Sequence, residues 1–136
     1  MKYMLETNIC IYAIKNNSQV LAKLSQNIDE GICISSIVKA EIEYGIYKSA
    51  NYEKNRIAFE TFLRNISIVS FDESAAKEYG KIRVDLERQG TPIGGNDLFI
   101  AAHCRALNYI LITHNLKEFE RVENLKLEDW TIGAEE

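Results

Sequence analysis

Apolar and polar positions alternate in blocks along the chain, and the blocks have the lengths of buried strands and amphipathic helices. Near-continuous apolar runs predict strands at 2–5, 31–36, 66–71 and 109–113, with a last short strand possible at 129–132. Helical periodicity predicts helices at 7–15, 18–29, 37–49, 52–64, 73–89 and 97–107. The polar stretch GTPIGGN at 90–96 predicts a loop. Strands separated by helices indicate βαβ units, so we predict an α/β fold with a mostly parallel sheet.

Length and composition favour an ordinary globular domain. The 136 residues are 46% hydrophobic and 26% charged, which predicts one domain over residues 1–136. No signal peptide or apolar run of about 18 residues is recognisable, so we expect a cytoplasmic protein without a membrane span. The three cysteines, Cys10, Cys33 and Cys104, are far apart in apolar segments and are expected to be core residues.

The net charge of −4 argues against a passive nucleic-acid-binding protein, which would normally be basic. It does not exclude a nuclease with an acidic active site. In such an enzyme a metal ion, rather than the protein, supplies positive charge at the phosphate.

Four acidic residues stand where the carboxyl ends of the predicted strands meet. Glu6 follows the first strand, Glu41 lies just over one turn into the helix after ICISS, and Asp97 opens the helix after GTPIGGN. Glu118 follows YILIT by one tight turn. Because ligands of open α/β sheets bind beyond the carboxyl ends of the strands, these acids are expected to converge.

Three of these acids also have a purely structural interpretation. Glu6 could stabilise the start of a helix through the helix dipole. Asp97 could do the same behind an Asn96 cap, although Gly94-Gly95 would let the loop approach a phosphate or a metal. Glu118 has capping-box spacing from Asn115, which alone would make it structural.

Glu41 is more informative because its helical neighbours Ile37, Val38 and Gly45 place it on the apolar face. A carboxylate there is costly unless it is paired or binds a metal. The alternative to a metal site is a buried salt bridge with Arg83 or Arg105.

Neither histidine fits a metal-ligand spacing. One is expected to pack against the core, and His114 lies beside the predicted crevice, where contact with substrate is the weaker alternative. A crevice of carboxylates without thiol or imidazole partners favours Mg²⁺ or Mn²⁺. The residues themselves therefore indicate a metal-dependent phosphoryl-transfer enzyme.

Four ordered segments resemble the PIN-domain toxins of the VapC type: MKYMLETNICIYAIK, SSIVKAEIEYG, GTPIGGNDLFIAAHC and LITHNLKEFERVENLKLEDW. The resemblance covers essentially the whole chain. It implies a PIN-like α/β/α sandwich and a Mg²⁺- or Mn²⁺-dependent endoribonuclease, the toxin of a type II toxin–antitoxin pair. It also implies inhibition by a VapB-type antitoxin that carries the DNA-binding part, a homodimer, and structured RNA such as tRNA as substrate.

The resemblance also assigns roles to residues of this chain. Glu6, Glu41 and Asp97 occupy the first three acidic positions and would bind the metal, with Glu118 completing the catalytic set. Asn115 stands at a fourth position that is often aspartate. Thr7 and Asn8 match the family's D-T-N motif and would orient the first carboxylate or a bound water.

Glu6 departs from the family pattern, which has aspartate there. The extra methylene moves the carboxylate by about 1.5 Å, and misplacement on that scale can lower a rate by about 100-fold. Glu6 is either a natural variant with shifted metal geometry or an introduced substitution that disarms a toxic ribonuclease.

Two other functions remain open. The chain could be a binding module with little catalysis, which binds its antitoxin and takes part in operon repression. A DNA-directed flap-type nuclease is less favoured, because such enzymes carry extra acids and large insertions. Apolar surface on the helices at 37–64 is a reasonable docking place for the antitoxin.

Overall fold

A computed structural model describes residues 2–132, and it contains a five-stranded sheet in which every pairing is parallel. The strands follow the order β3-β2-β1-β4-β5 across the sheet. Their bounds are β1 Tyr3–Leu5, β2 Ile32–Ser35, β3 Ser67–Val69, β4 Ile110–Ile112 and β5 Lys126–Glu128. The predicted α/β class and parallel sheet are therefore confirmed.

Helices connect the strands in the order that the sequence predicts. They are α1 Thr7–Ile14, α2 Ser18–Asn27, α3 Ser36–Lys48, α4 Tyr52–Leu63, α5 Glu73–Gln89, α6 Gly95–Leu107 and the short α7 Leu116–Phe119. A single 3₁₀ turn, Ile28–Glu30, extends α2 and leads into β2. No helix within residues 2–132 is long and apolar enough to cross a membrane.

Side-chain caps begin three of these helices. The Asn17 side chain accepts from the Gln19 and Val20 N–H groups at the start of α2. Asp72 accepts from the Ala75 N–H, 3.1 Å away, and Gly90 ends α5 in a left-handed conformation with φ +71°. The Ser35 side chain caps α3 by accepting from the Ile37 N–H at 3.0 Å.

The core fills both faces of the central strands, as the continuous apolar runs predict. Met4 and Leu5 of β1, Ile34 of β2 and Leu111 and Ile112 of β4 are fully buried. Cys10, Cys33 and Cys104 are also buried and unpaired, which confirms their expected place in the core.

The last strand differs from the prediction. β5 is Lys126–Glu128, whereas the DWTI segment at 129–132 forms a turn. The Asp129 carboxylate accepts from the Thr131 N–H at 2.8 Å and from its hydroxyl at 2.6 Å, which favours a turn over an extended strand. Trp130 is nevertheless buried and lies 5.2 Å from the Tyr3 ring, centroid to centroid.

The start of α6 also differs from the prediction. The helix begins at Gly95 with Gly94 in the cap position, and the Leu98 N–H donates to the Gly94 carbonyl oxygen at 2.9 Å. Asn96 is therefore inside the first turn and is not the cap. Its side chain is free to bond outside its own helix.

The sheet provides a matched test of the core. Ile34 of β2 is 0% exposed, and its register partner Ile68 of β3 is 47% exposed. We expect Ile34→Ala to lower the free energy of unfolding by about 2–5 kcal/mol and Ile68→Ala by less than about 1 kcal/mol. Urea denaturation of both variants measures the difference. Equal losses would mean that the exposed face of β3 is covered in solution.

Candidate active site

Glu6 lies at the centre of the carboxyl edge of the sheet. Its backbone N–H donates to the Ile112 carbonyl oxygen of β4 at 3.0 Å, and its own carbonyl oxygen accepts the first hydrogen bond of α1. The side chain is only 6% exposed, with the Thr113 hydroxyl 3.4 Å from its Oε1. Glu6 is at the cap position of α1, and the Asn8 N–H of the first turn is the backbone donor nearest its carboxyl group.

Glu41 reaches the same edge from α3. Its Oε1 accepts a hydrogen bond from the Thr7 hydroxyl. Its Oε2 accepts a second one from the Asn96 side-chain amide at 2.8 Å. The alternative of a salt bridge is wrong, because Arg83 pairs with Glu87 and Arg105 with Glu78. Thr7 thus holds the second acid, whereas it was expected to orient the first carboxylate or a bound water.

Glu118 is fixed beside Asp97 by two donors. The Gly94 N–H donates to Oε2 at 2.9 Å, and the Asn115 side-chain amide donates to Oε1 at 2.8 Å. The Asn115 N–H instead donates to the Thr113 hydroxyl, so the bond that would complete a capping box is absent. Glu118 is therefore directed toward Asp97 and the Gly94 loop. A Cβ atom built on Gly94 would lie 3.5 Å from Asp97 Oδ2 and 3.6 Å from Glu118 Oε2.

The four acids affect each other's ionisation. Burial, a hydrogen bond with Glu118 and the charges of Glu118, Glu6 and Glu41 raise the pKa of Asp97 to about 7. Burial also raises the pKa of Glu6; the Asn8 N–H and the Thr113 hydroxyl oppose the rise, and the charges of Glu41 and Glu118 add to it. Burial acts to raise the pKa of Glu118 as well, but hydrogen bonds from Gly94, Asp97 and Asn115, together with the charge of Arg121, outweigh it and the pKa falls. One proton is consequently held between Asp97 and Glu118 near neutral pH.

The sequence model of the PIN-domain family matches residues 3–125 of this chain. That match spans most of the chain and includes all four acids. The chain belongs to the PIN-domain family.

Its relatives place this PIN domain in the VapC branch of the family, which confirms the resemblance seen in the sequence. The chain is 45% identical to Ribonuclease VapC2 of Rickettsia felis, over 96% of this chain and 98% of that protein. It is 42% identical to the tRNA(fMet)-specific endonuclease VapC of Shigella flexneri, over 96% and 99%. Among solved structures, VapBC2 of Rickettsia felis bound to a promoter DNA fragment matches with a TM-score of 0.93 and 44% identity, over 96% of this chain and 99% of that one.

The donor chemistry of the PIN-domain acids fits a hard divalent cation. All four donors are carboxylates, and none of them forms an ion pair with lysine or arginine in the described part of the chain. Burial first, and then the neighbouring negative charges, raise the pKa of Asp97. However, no three histidine, cysteine, aspartate or glutamate side chains within residues 2–132 are placed to hold one ion together. Metal binding would therefore require some of these carboxylates to turn away from their present donors.

The histidines lie apart from the acids. His103 is 1% exposed and its Nδ1 lies 2.8 Å from the Ser35 hydroxyl, which confirms the expected core position. His114 is paired with Asp129 at 3.0 Å and stands edge-on to the Tyr12 ring. Asn8 is exposed, and only its backbone N–H acts on Glu6.

Three residues at the site were not predicted from the sequence in their observed roles. Asn96 bonds to Glu41 rather than capping a helix, Thr113 holds both Glu6 and the Asn115 backbone, and the Gly94 N–H bonds to Glu118. Of these three, only Thr113 could have been recognised from the sequence, because it is a polar residue directly after a buried strand.

The ionisation of Asp97 should make the metal-free protein less stable at high pH. Its folded-state pKa of about 7 lies above the usual value, so stability present at low pH is lost as pH rises toward 7. We expect Asp97→Asn to raise the free energy of unfolding at pH 8 in EDTA by about 1–2 kcal/mol, after allowing for partial exposure. The gain should be smaller at pH 5.

Chemical denaturation of the wild-type protein and the variant at both pH values measures this effect. Asp85→Asn is the matched control, since Asp85 is exposed on α5 and forms no ion pair in the described residues. An Asp97→Asn gain that is the same at pH 5 and pH 8 would contradict the raised pKa.

Proposed function

We propose that this PIN domain is a Mg²⁺- or Mn²⁺-dependent endoribonuclease, the toxin of a VapBC-type pair, that cleaves structured RNA such as tRNA. The observation that carries the proposal is the cluster of Glu6, Glu41, Asp97 and Glu118 at one sheet edge, where none of the four forms an ion pair with lysine or arginine within residues 2–132. The names of its relatives support the same activity: Ribonuclease VapC2 and tRNA(fMet)-specific endonuclease VapC.

Glu6 and Asp97 would chiefly hold the metal, with Glu41 and Glu118 completing the acidic pocket directly or through waters. When bound, a divalent cation supplies positive charge at the phosphodiester and lowers the pKa of a water molecule. Thr7 and Asn96 fix the Glu41 carboxylate, while Gly94 and Asn115 fix that of Glu118. The proton between Asp97 and Glu118 has to leave before both carboxylates can bind a cation, so metal affinity should rise with pH.

A VapB-type antitoxin is the proposed protein partner, with DNA contacted only through it and with a homodimer of this chain as the assembled form. Support comes from the close match to the VapBC2 complex of Rickettsia felis on promoter DNA. Ile57 of α4 is 63% exposed, which supports the expectation that apolar surface at 37–64 takes part in docking.

A second candidate function is a binding module with weak or no catalysis. It is favoured by one observation, that no three ligand side chains in residues 2–132 already face a common ion position. The glutamate at position 6 would then account for the loss of activity through its extra methylene.

Metal binding tests the acid cluster separately from catalysis. We expect Asp97→Asn to weaken Mn²⁺ binding by about 10-fold or more, because the affinity of such sites follows the number of charged ligands. Asp85→Asn should leave it unchanged. Calorimetric titration at pH 7 and pH 8 measures both variants. Unchanged Mn²⁺ affinity in Asp97→Asn, with an intact fold, would show that the assignment of the acids is wrong.

Cleavage of a purified tRNA pool distinguishes the two candidate functions. With Mg²⁺ or Mn²⁺ present we expect Glu6→Asp to cut faster than the wild-type chain, by about 100-fold if the shorter side chain restores the usual geometry. EDTA should stop both. If both proteins cut at equal rates, Glu6 is a tolerated ligand. If neither cuts any RNA, the binding-module function is the one to retain.

A further inference from the structure

A cleft of about 430 Å³ lies between α3 and α6 beside the acid cluster. That volume is within the range of about 300–1,000 Å³ that is usual for small-molecule pockets. The residues that line it are Ile37, Ala40, Glu41, Tyr44, Asn96 and Phe99. Glu41 and Asn96 also belong to the acid cluster, so the cleft opens directly onto the candidate active site.

The hydrogen bond between Asn96 and Glu41, 2.8 Å long, forms the end of the cleft nearest the acids. Tyr44 lies one turn beyond Glu41 on α3, and Phe99 lies one turn beyond Asn96 on α6. The cleft therefore changes from carboxylate and amide groups at the acid end to two aromatic rings at the other end.

The two aromatic residues differ in how firmly they are held. The Phe99 ring stacks on Tyr79 with centroids 4.4 Å apart and an interplanar angle of 15°, and it meets the Phe71 ring edge-on at 5.5 Å. It is thus a fixed wall. Tyr44 is 66% exposed, so much of its surface is available to a ligand.

Two polar groups beside these rings suit a nucleotide. The Lys48 ammonium lies 5.4 Å from the centroid of the Tyr44 ring and forms no ion pair within residues 2–132. The side-chain oxygen of Asn96 accepts no hydrogen bond in the same part of the chain. An ammonium can meet a phosphate, and an amide oxygen can accept from the exocyclic amino group of a base.

We propose that this cleft binds one unstacked nucleobase of the RNA substrate, next to the phosphodiester that the acids would receive. The base lies against Tyr44 and Phe99, with its edge toward Asn96 and a neighbouring phosphate toward Lys48. This inference rests on the proposed ribonuclease function and adds the class of contact that selects the substrate. A single-stranded loop can offer an unstacked base for this contact, whereas a continuous duplex cannot, because its bases stay stacked.

A peptide of the antitoxin is the other macromolecule that an aromatic cleft could accept. Continuity with the acids favours RNA, because a strand whose phosphate reaches Glu41 has its adjacent base at the mouth of the cleft. The Lys48 ammonium beside Tyr44 favours a polyanion as well.

Tyr44→Ala tests the proposal, and Tyr47→Ala is its matched control. Tyr47 is on the same helix and is 69% exposed, but it does not line the cleft. The probe is a fluorescent RNA hairpin with a seven-nucleotide loop, bound in Ca²⁺ and measured by anisotropy. We expect Tyr44→Ala to weaken binding by about 5- to 100-fold, the range for loss of one base–aromatic stack. Tyr47→Ala should change it by less than about 2-fold.

Abasic hairpins then locate the base. Removing the base that occupies the cleft should weaken RNA binding by the wild-type protein about as much as Tyr44→Ala does. The same abasic RNA should bind the Tyr44→Ala variant no more weakly than the intact hairpin does. Removing other loop bases should affect both proteins equally. This loss of additivity at one loop position is not expected from a substitution that merely alters the fold.

Three results would overturn the proposal. Additive losses at every loop position would exclude a Tyr44–base contact, as would equal effects of Tyr44→Ala and Tyr47→Ala. Weaker binding of the VapB-type antitoxin by Tyr44→Ala with unchanged RNA binding would assign the cleft to the protein partner. If neither the wild-type chain nor Glu6→Asp bound or cut RNA, the ribonuclease function itself would fail, and that outcome is distinguishable from the three results above.

Discussion

The mutual repulsion of four carboxylates at one edge of the sheet is the constraint on which the site depends. β1 lies in the middle of the sheet, between β2 and β4, so acids that follow these three strands have to meet. Asp97 joins them because α6 begins at the same edge before the chain returns along β4. Each ionised carboxylate makes ionisation of the next more costly, and this repulsion adds to burial, the larger cause, in raising the pKa of Asp97.

The protein offsets this repulsion with neutral hydrogen-bond donors and with the charge of Arg121 near Glu118, but with no ion pair between these acids and a lysine or arginine within residues 2–132. Thr7, Asn96, Asn115 and the Gly94 backbone each donate to one of the carboxylates. Neutral donors hold the oxygens in place without neutralising the charge. The site therefore keeps its negative potential and can attract an external cation. An arginine of the protein in the same place would have neutralised that potential.

Basic side chains are used elsewhere in the fold. Arg56 forms two hydrogen bonds with Glu43, which lower the pKa of Glu43 to about 2, and Arg105 holds Glu78 at 2.6 Å. Both pairs tie helices together away from the acids. The difference between Glu43 and Glu41, two residues apart on α3, shows how one helix carries a structural acid on one side and a site acid on the other.

The sequence was sufficient for the fold class and for the convergence of the acids, because both follow from regular rules. Alternation of strands and helices indicates a parallel sheet, and residues after parallel strands share one edge. It was not sufficient for side-chain partners. Asn96 and Glu41 are separated by 55 positions, and the local pattern favoured a cap. The turn at Asp129 was missed because an apolar tryptophan and isoleucine resemble a strand in a short window.

Glu6 is the point at which fold and chemistry are most tightly linked. Its backbone is fixed on both sides, by the bond from its N–H to Ile112 and by the bonds that its carbonyl oxygen accepts from α1. A shift of the main chain therefore cannot absorb the extra methylene, and the side chain has to accommodate it within a buried space beside Thr113. Glu41 and Glu118 are held by donors of their own, and Asp97 is hydrogen-bonded to Glu118. A cation that is to bind Glu6 together with Asp97 must consequently break some of these bonds, so we expect the longer side chain to act on metal affinity and rate and not on the stability of the fold.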